Sequence, residues 1–197
     1  MSYWQGLGGY VYDIHVNTEL VQPRSIRETQ YYYDSQTSKK DSVCIARGYE
    51  YNDLGQKRTL FNETGKEVRK TSVTYVSDVS PVDRSSVEDA MIQKHMLNLP
   101  LKRLETKYSK EGGISSEKIV KSDKYTYCIA PSINNTDMIC LSRTATANLN
   151  YNQSSSSMLA YNTLLSYDVY DKGGRILQVT DKSGIPTSYI WGHGGLY

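Results

Sequence analysis

One segment of the chain occurs twice, and it is built almost entirely from turn-forming and strand-forming residues. The first copy runs from Tyr51 to Gly65 and the second from Tyr170 to Gly184. Both copies fit the pattern Tyr-[Asn/Asp]-x-x-Gly, six residues, then [Asn/Asp]-x-[Thr/Ser]-Gly, without a gap. Internal similarity of this kind indicates one supersecondary unit that is used more than once.

Each copy predicts a meander of three strands joined by two tight turns. Asn or Asp can cap a turn and Gly adopts a positive φ, so each Asx-x-x-Gly segment should reverse the chain. The residues between the turns form an extended arm, in which Leu60 and Val179 occupy equivalent places. We expect turns at residues 52–55, 63–65, 171–174 and 181–184. The residues that define the repeat are Tyr51, Asn52, Gly55, Gly65, Tyr170, Asp171, Gly174, Gly184 and Trp191.

Other parts of the chain also carry strand-like patterns. Short runs rich in Tyr, Thr, Val and Ile alternate with Gly, Asn, Asp and Ser, as is typical of hairpin sheets. These runs predict strands at 9–15, 25–33, 42–51, 67–76 and 161–170, and a hairpin formed by 101–108 and 114–127. The predicted fold class is therefore all-β, an antiparallel β-hairpin repeat sheet extending over residues 1–197 as a single region.

Two segments depart from the strand pattern. Ser85 and Glu88 form a capping-box sequence, in which each side chain satisfies a free backbone amide of the other residue. A helix-forming run follows and ends before Pro100, which predicts one short helical insertion at about 86–98 with Val87, Ala90 and Met91 on one face. The Asn- and Ser-rich residues 150–157 predict a flexible loop.

The aromatic composition indicates a thin sheet. The chain has 18 Tyr but only one Phe and two Trp. Tyrosine rings pack well on a pleated sheet while their hydroxyl groups stay near water or find a partner. We therefore expect half-wet sheets instead of a thick dry core.

Charge and hydropathy argue against two classes of partner. The 23 basic and 21 acidic side chains leave a net charge of +2 and are spread along the chain. A dedicated nucleic-acid binder would show a clustered basic face. The chain also lacks a run of about 18 apolar residues, so no membrane span is predicted.

No pattern predicts an enzyme, a metal site or a cofactor site. The three histidines lie far apart, and no Cys/His cluster with zinc-ligand spacing occurs. Of the three cysteines, Cys128 and Cys140 could face each other across a hairpin, but buried free thiols are the favoured interpretation. The glycine-rich residues 192–195 precede no helix and are a poor phosphate cradle.

The repeated unit resembles the YD repeat of the RHS family. The best match is Tyr170-Asp171-Lys172-Gly173-Gly174-Arg175-Ile176-Leu177-Gln178-Val179-Thr180. Its continuation, from Gly184 to Gly192 with Trp191, looks like the sequence that follows such repeats in large surface proteins of Bacteroides-type bacteria. The resemblance covers residues 161–197 best and residues 46–127 less closely.

The resemblance implies a structural role at the cell surface or in secretion, although the chain begins without a signal-peptide pattern. RHS repeats form a long curling sheet of hairpins, which in complete members encloses a variable, toxin-like C-terminal domain. Neither a self-cleaving core segment nor a toxin domain is matched here, so no functional residue of the family is carried over. The chain then resembles a fragment of the repeat region, with adjacent RHS repeats as its expected partners.

Two further expectations concern binding. As an alternative function, exposed Tyr and Trp rings could stack on sugars, with a glycan or a cell surface as ligand, although ring packing within the sheet explains the same residues. If the chain is a fragment, a strand edge should lack its natural neighbour and promote self-association. The segment Tyr189-Ile190-Trp191, predicted to lie in the last strand, should join that contact.

Overall fold

A computed structural model describes residues 10–17, 22–34, 39–111, 117–131, 137–147, 149 and 159–191. In these residues eleven strands form one sheet in which the spatial order follows the sequence order. Strand pairs from β1 to β5 and from β7 to β11 run antiparallel. The strands are β1 (Tyr10–Asn17), β2 (Gln22–Asp34), β3 (Lys39–Tyr51), β4 (Lys57–Thr64), β5 (Glu67–Tyr75), β6 (Pro100–Ser109), β7 (Lys118–Pro131), β8 (Asp137–Ala147), β9 (Tyr161–Tyr170), β10 (Ile176–Asp181) and β11 (Pro186–Ser188).

This architecture confirms the predicted all-β, antiparallel hairpin sheet with one short helix. A strictly sequential strand order arises when every connection is short enough to return the chain beside the strand it has just left. By its contacts the chain divides into two compact units. The first comprises residues 1–73, 104–120 and 152–154, and the second residues 74–103, 121–151 and 155–197. The assignment of residues 1–197 to a single repeat region stays a prediction.

The helical insertion lies between β5 and β6. Helix α1 (Ser86–Gln93) begins with the predicted capping box, because the Ser85 hydroxyl accepts a hydrogen bond from the Glu88 amide and the Glu88 carboxylate accepts one from the Ser85 amide. The predicted end near residue 98 is wrong, because the helix ends five residues earlier. The physical reason is a left-handed residue, His95, with φ 55°.

His95 ends the helix in the manner usually reserved for glycine. Its amide donates to the Ile92 carbonyl at 3.0 Å, and the Met96 amide donates to the Met91 carbonyl at 2.9 Å. These two bonds form a Schellman motif, which satisfies the last carbonyls of a helix. Met91 and Met96 belong to the same apolar cluster, as is common for this motif. Histidine tolerates the left-handed region better than most residues but carries no sequence signal for it.

The core of the second unit is small and lies where the insertion covers the sheet. Val76 and Met91 are fully buried, and Ile139 of β8 packs with them. Partly buried residues of the insertion and the neighbouring strands complete the cluster, namely Ala90, Ile92, Met96, Leu97, Leu99, Leu101 and Tyr127. The predicted apolar face of the helix is thus correct for Ala90 and Met91.

Most tyrosine rings of the described side chains are half-buried, as the composition predicts. Tyr189 is the only tyrosine among them that is exposed. In the same set the largest side chains that are fully buried are Met91, Val76 and Ser122. Because the sheet fully buries so few side chains, it depends on tyrosine rings that cover the pleated surface while their hydroxyl groups stay near water.

Two other predictions lie wholly or partly outside the described residues. Residues 150–157, the predicted flexible loop, are outside them. Strands β6 and β7 bear out the predicted hairpin of 101–108 and 114–127, with β7 beginning at Lys118. Between these strands, Lys110 and Glu111 form a turn.

Candidate functional site

The repeat-defining turn of the first copy is held by the side chain of Asn52, which follows Tyr51 at the end of β3. Its Oδ1 accepts hydrogen bonds from the amides of Leu54 at 3.2 Å and Gln56 at 2.9 Å. The Gly55 amide donates to the Asn52 carbonyl at 2.9 Å, and Gly55 has φ 74°. The asparagine thus supplies an acceptor inside the turn, and glycine supplies the backbone conformation that other residues avoid.

The second copy makes the same turn with Asp171, which follows Tyr170 at the end of β9. Oδ1 of Asp171 accepts hydrogen bonds from the amides of Gly173 at 2.8 Å and Arg175 at 2.9 Å. The Gly174 amide donates to the Asp171 carbonyl at 3.0 Å, and Gly174 has φ 84°. Each donor and acceptor therefore has its counterpart in the first copy, which confirms the turns predicted at 52–55 and 171–174.

In both copies the capping side chain also contacts the side chain four residues later. Asn52 donates through Nδ2 to Oε1 of Gln56 at 2.6 Å. Asp171 accepts a hydrogen bond from Nε of Arg175 at 2.6 Å and forms an ion pair with its guanidinium. Hydrogen bonds from the backbone amide and the side chain of Arg175 hold the pKa of Asp171 below its ordinary value. The pairing of residues 4 apart is a second component of the repeat, which the motif did not include.

The second turn differs between the copies. In the second copy Asp181 repeats the capped turn, because its Oδ1 accepts from the amides of Ser183 at 2.8 Å and Ile185 at 3.1 Å. Gly184, at φ 77°, occupies the same place as Gly174. The turn predicted at 181–184 is thus confirmed.

In the first copy the turn predicted at 63–65 is wrong by one to two residues. Glu63 and Thr64 lie in β4, opposite Val68 and Glu67, and the chain reverses at Gly65 and Lys66. A two-residue loop with positive φ only at its first residue, Gly65, is typical of a type II′ turn. The prediction that the two copies form the same two-turn meander therefore holds at the first turn and fails at the second.

Tyrosines stand directly opposite aliphatic residues at comparable places in the sheet. Tyr49 pairs with Leu60 across β3 and β4, and Tyr167 pairs with Val179 across β9 and β10. Leu60 and Val179 are aligned by the repeat, and each faces a tyrosine, although Tyr49 lies two positions before Tyr51 and Tyr167 three positions before Tyr170. Both strand pairs also contain an irregular register near the repeat tyrosine. Aromatic and aliphatic partners in this position stabilise a strand pair.

Tyrosine hydroxyl groups in the second unit find backbone or side-chain partners. Tyr127 donates to the Pro100 carbonyl at 3.0 Å, Tyr161 shares a 2.8 Å hydrogen bond with the buried Ser122, and Tyr170 donates to the Leu141 carbonyl. Burial raises the pKa of Tyr127 and of Tyr170 to about 12. These phenols are therefore structural donors and not acids at neutral pH.

Trp191 folds back against the beginning of β10. Its Nε1 donates to the Ile176 carbonyl at 2.8 Å, and Ile176 stands opposite Tyr170. The prediction that residues 189–191 lie in the last strand is wrong, because β11 ends at Ser188. The Tyr189 amide still donates to the Leu177 carbonyl at 2.8 Å. Proximity to β10 is thus retained after the chain has left the strand conformation.

β11 stands at the end of the strand order. Its residues, from Pro186 to Ser188, are exposed, as are the apolar side chains that flank it. Ile190 is 98% exposed, and Ile185, Tyr189 and Trp191 are exposed to smaller extents. Among the described strands none pairs with the outer side of β11. An edge of this kind offers unpaired backbone groups together with apolar side chains.

A shallow groove lies in the first unit. It has a volume of about 440 Å³ and is lined by Lys66, Glu67, Lys107, Tyr108, Ser109 and Lys118. Lys66 is paired with Glu111 at 2.7 Å, so part of its charge is neutralised. The described lining combines one tyrosine with charges of both signs and includes no convergent set of groups for a reaction.

The described residues contain no group of three or more His, Cys, Asp or Glu side chains that could hold a metal ion. In the same part of the chain no helix has the length and apolar character that a membrane crossing requires. No family model matches the chain, and a search of curated proteins found no match.

The sequence did not indicate the partners of the capping residues. Gln56 and Arg175 are polar residues at equivalent places in the two copies, and this equivalence is the signal that could have identified them. Nothing in the local sequence marks Met138, whose sulfur lies 2.8 Å from where a Cβ on Gly174 would be. That contact depends on the pairing of strands distant from Gly174 in sequence.

Proposed function

We propose that this chain is a structural repeat segment of an RHS-like secreted or cell-surface protein, in which hairpins build a β-sheet scaffold for a variable C-terminal domain. The observation that carries the proposal is the strictly sequential sheet combined with the same capped turn at Asn52, Asp171 and Asp181. A sheet that grows by adding hairpins needs a recurring turn that reverses the chain without help from distant residues.

The capped turn forms without help from distant residues. Asn52 and Asp171 make corresponding backbone hydrogen bonds although their side-chain partners, Gln56 and Arg175, differ in charge. The geometry therefore depends on the Asx residue and the glycine, both of which are local. A local device can recur while the arms between the turns change, which is what a degenerate repeat requires.

The exposed edge supports a role as one part of a longer sheet. β11 and its flanking apolar residues offer both hydrogen-bonding groups and apolar area to a further strand. The natural occupant in this proposal is an adjacent repeat. In the isolated chain a second copy takes its place, because the same edge can pair with itself by strand addition.

Sedimentation velocity on the isolated chain tests the edge. We expect a concentration-dependent dimer that is weakened at least about tenfold by Ile190→Asp, because a charge there must be desolvated in the contact. Ile190 is preferable to Trp191 for this test, since Trp191 also hydrogen-bonds β10. Val82→Asp is the matched control, because Val82 is an equally apolar and 89% exposed residue away from the edge.

The control should leave the dimer unchanged. A chain that stays monomeric at all concentrations, or a dimer that both variants weaken equally, would contradict the role of the β11 edge.

For the larger protein, we expect the coding sequence around this segment to contain further Tyr-[Asn/Asp]-x-x-Gly units and a variable C-terminal domain. A gene without such units would refute the scaffold proposal.

A carbohydrate-binding module is the alternative proposal, and one observation favours it. Tyr189 and Trp191 are exposed aromatic residues two positions apart, and rings of this kind can stack on sugar faces. A glycan array would distinguish the two functions. Binding to one glycan class that Tyr189→Ala abolishes would favour the binding module over the scaffold. Tyr125→Ala is the control, because the Tyr125 ring is half-buried, and it should preserve the binding.

A further inference from the structure

Two cysteines of the second unit stand directly opposite each other in the β7–β8 hairpin. Cys128 pairs with Cys140, and the flanking pairs are Tyr127 with Leu141 and Ile129 with Ile139. Both thiols are free. Because directly opposite residues of an antiparallel pair project from the same face, the two side chains meet on one side of the sheet.

The backbone separation suits a disulfide. Opposite residues in an antiparallel pair have Cα atoms about 4.5 or 5.5 Å apart, within the range of about 4.4–6.8 Å found across disulfides. Their Cβ atoms are about 4.5–5.5 Å apart, whereas a disulfide places them about 3.5–4.5 Å apart. The strands must therefore approach by no more than about 1 Å, which a hairpin can accommodate.

The two thiols differ in their exposure to solvent. Cys140 is buried, whereas Cys128 is only partly buried and is the thiol that a reagent reaches first. Burial raises the pKa of both thiols, so the reaction should accelerate as the pH rises.

We propose that Cys128 and Cys140 form a cross-strand disulfide that staples the β7–β8 hairpin in an oxidising compartment. This inference goes beyond the scaffold function and does not depend on it, because it rests on the strand register alone. The bond would close a loop of 13 residues from Cys128 to Cys140. A staple of this size stabilises chiefly by restricting the unfolded chain.

The oxidant is a low-molecular-weight disulfide such as oxidised glutathione. The Cys128 thiol loses its proton, and the thiolate attacks one glutathione sulfur, which forms a mixed disulfide and releases one glutathione thiolate. The Cys140 thiolate then attacks the Cys128 sulfur and releases the second. In the sum the protein loses two hydrogens, and one oxidised glutathione becomes two reduced molecules.

The test uses the whole chain with Cys44→Ser, which removes the third thiol. The folded protein is incubated in a buffer of reduced and oxidised glutathione, quenched by alkylation and analysed by peptide mass spectrometry. We expect one peptide pair joined through Cys128 and Cys140, the loss of two hydrogens, and an increase in the melting midpoint of about 5–10 °C that a reductant reverses.

The matched control moves one thiol to the other face of the same strand. In the double variant Cys128→Ser/Ile129→Cys the new thiol replaces a residue that is 40% exposed and projects away from Cys140. We expect glutathione adducts in this control and no internal bond. A second variant, Cys140→Ser, should stop at the mixed disulfide on Cys128.

Three outcomes would overturn the proposal. They are glutathione adducts on Cys128 or Cys140 without an internal bond, an internal bond that forms only in denaturant, or equally fast bonding in the displaced control. The dimer experiment on the β11 edge has an independent readout, so failure of the disulfide leaves the scaffold proposal unaffected.

Discussion

At the residue scale, a single acceptor atom organises each repeated turn. Oδ1 of Asn52 and Oδ1 of Asp171 each accept two backbone amides of the turn they precede. Asparagine and aspartate serve equally because both present this atom at the same distance from the backbone. The additional contact, to Gln56 or to Arg175, matches the chemistry of the capping side chain.

Substitutions of Asp171 should separate the acceptor from the charge. Asp171→Asn keeps Oδ1 and should lower the melting midpoint at pH 7 only slightly, whereas Asp171→Ala leaves two turn amides without their acceptor and should lower it clearly more. Because the folded-state pKa of Asp171 is depressed, its charge contributes stability above the unfolded pKa of about 3.9, and this stability is lost as the pH falls through the folded pKa.

Thermal unfolding at pH 7 and at about pH 2 measures both effects. The advantage of the wild type over Asp171→Asn should disappear at the lower pH, while the deficit of Asp171→Ala should persist. Equal midpoints for the asparagine and alanine variants at pH 7 would show that the acceptor does not hold the turn.

At the element scale, the insertion between β5 and β6 supplies what the strands lack. Strands with alternating exposure cannot by themselves enclose a dry core, and α1 covers β8 with Met91, which contacts Val76 and Ile139. The helix has only eight residues, too few for an isolated helix to be stable in water. Its capping box, its Schellman motif and the packing of Met91 therefore all contribute to its formation.

The left-handed His95 provides a specific test of the helix end. His95→Gly should increase the free energy of unfolding by about 0.5–1 kcal/mol. Glycine relieves the left-handed strain of about 1–2 kcal/mol, but its greater freedom in the unfolded chain cancels part of that gain. Lys94→Gly is the control, since Lys94 has φ −88° and no such strain, and it should decrease stability by a similar amount.

Urea denaturation of the two variants measures the difference. A His95→Gly variant that is less stable than the wild type would mean that the histidine side chain contributes more than its backbone strain costs.

At the scale of the whole molecule, strand pairing is sequential and burial is uneven. Every strand of the described sheet neighbours the strands before and after it in sequence, so most pairing contacts are local. Complete burial is confined to a few residues, among them Val76 and Met91 in the second unit, whereas all three residues of β11 are exposed. Resistance to local opening should follow this distribution, because it depends on buried apolar contacts.

Hydrogen exchange should therefore be slowest in β8 near Ile139 and fastest in β11. Met91→Ala, which removes a fully buried side chain at a cost of about 2–5 kcal/mol, should accelerate exchange in β8 by at least about 30-fold. Val82→Ala, at an exposed site, should leave the rates unchanged within about twofold. Uniform exchange along the sheet, or an unchanged rate in β8 of the Met91 variant, would contradict this distribution of stability.

Local signals predicted much of the fold. The alternation of strand and turn residues predicted the antiparallel sheet, the Ser85 and Glu88 pair predicted the start of α1, and the Asx-x-x-Gly segments predicted three turns with their glycines. The capped turns and the helix start are formed by residues within about four positions of one another. Their energetics are therefore contained in the local sequence, whatever the rest of the chain does.

The features that local sequence did not predict depend on pairing between strands. Asn62-Glu63-Thr64-Gly65 carries the same motif as Asp181-Lys182-Ser183-Gly184, yet β4 continues through Thr64 because its partners in β5 extend the register to Glu67. The return of Trp191 to Ile176 likewise follows from a contact outside its own segment.

By itself the sequence determined the fold class, through its alternation of strand-forming and turn-forming residues. It also determined the capped turns and the helix start, because hydrogen bonds between near neighbours create them. Only the tertiary structure decided the register, which places Cys128 opposite Cys140, Tyr49 opposite Leu60 and Tyr167 opposite Val179. A shift of one residue would send every side chain of a strand to the other face, so these contacts depend on the packing of whole strands and on the bulges within them.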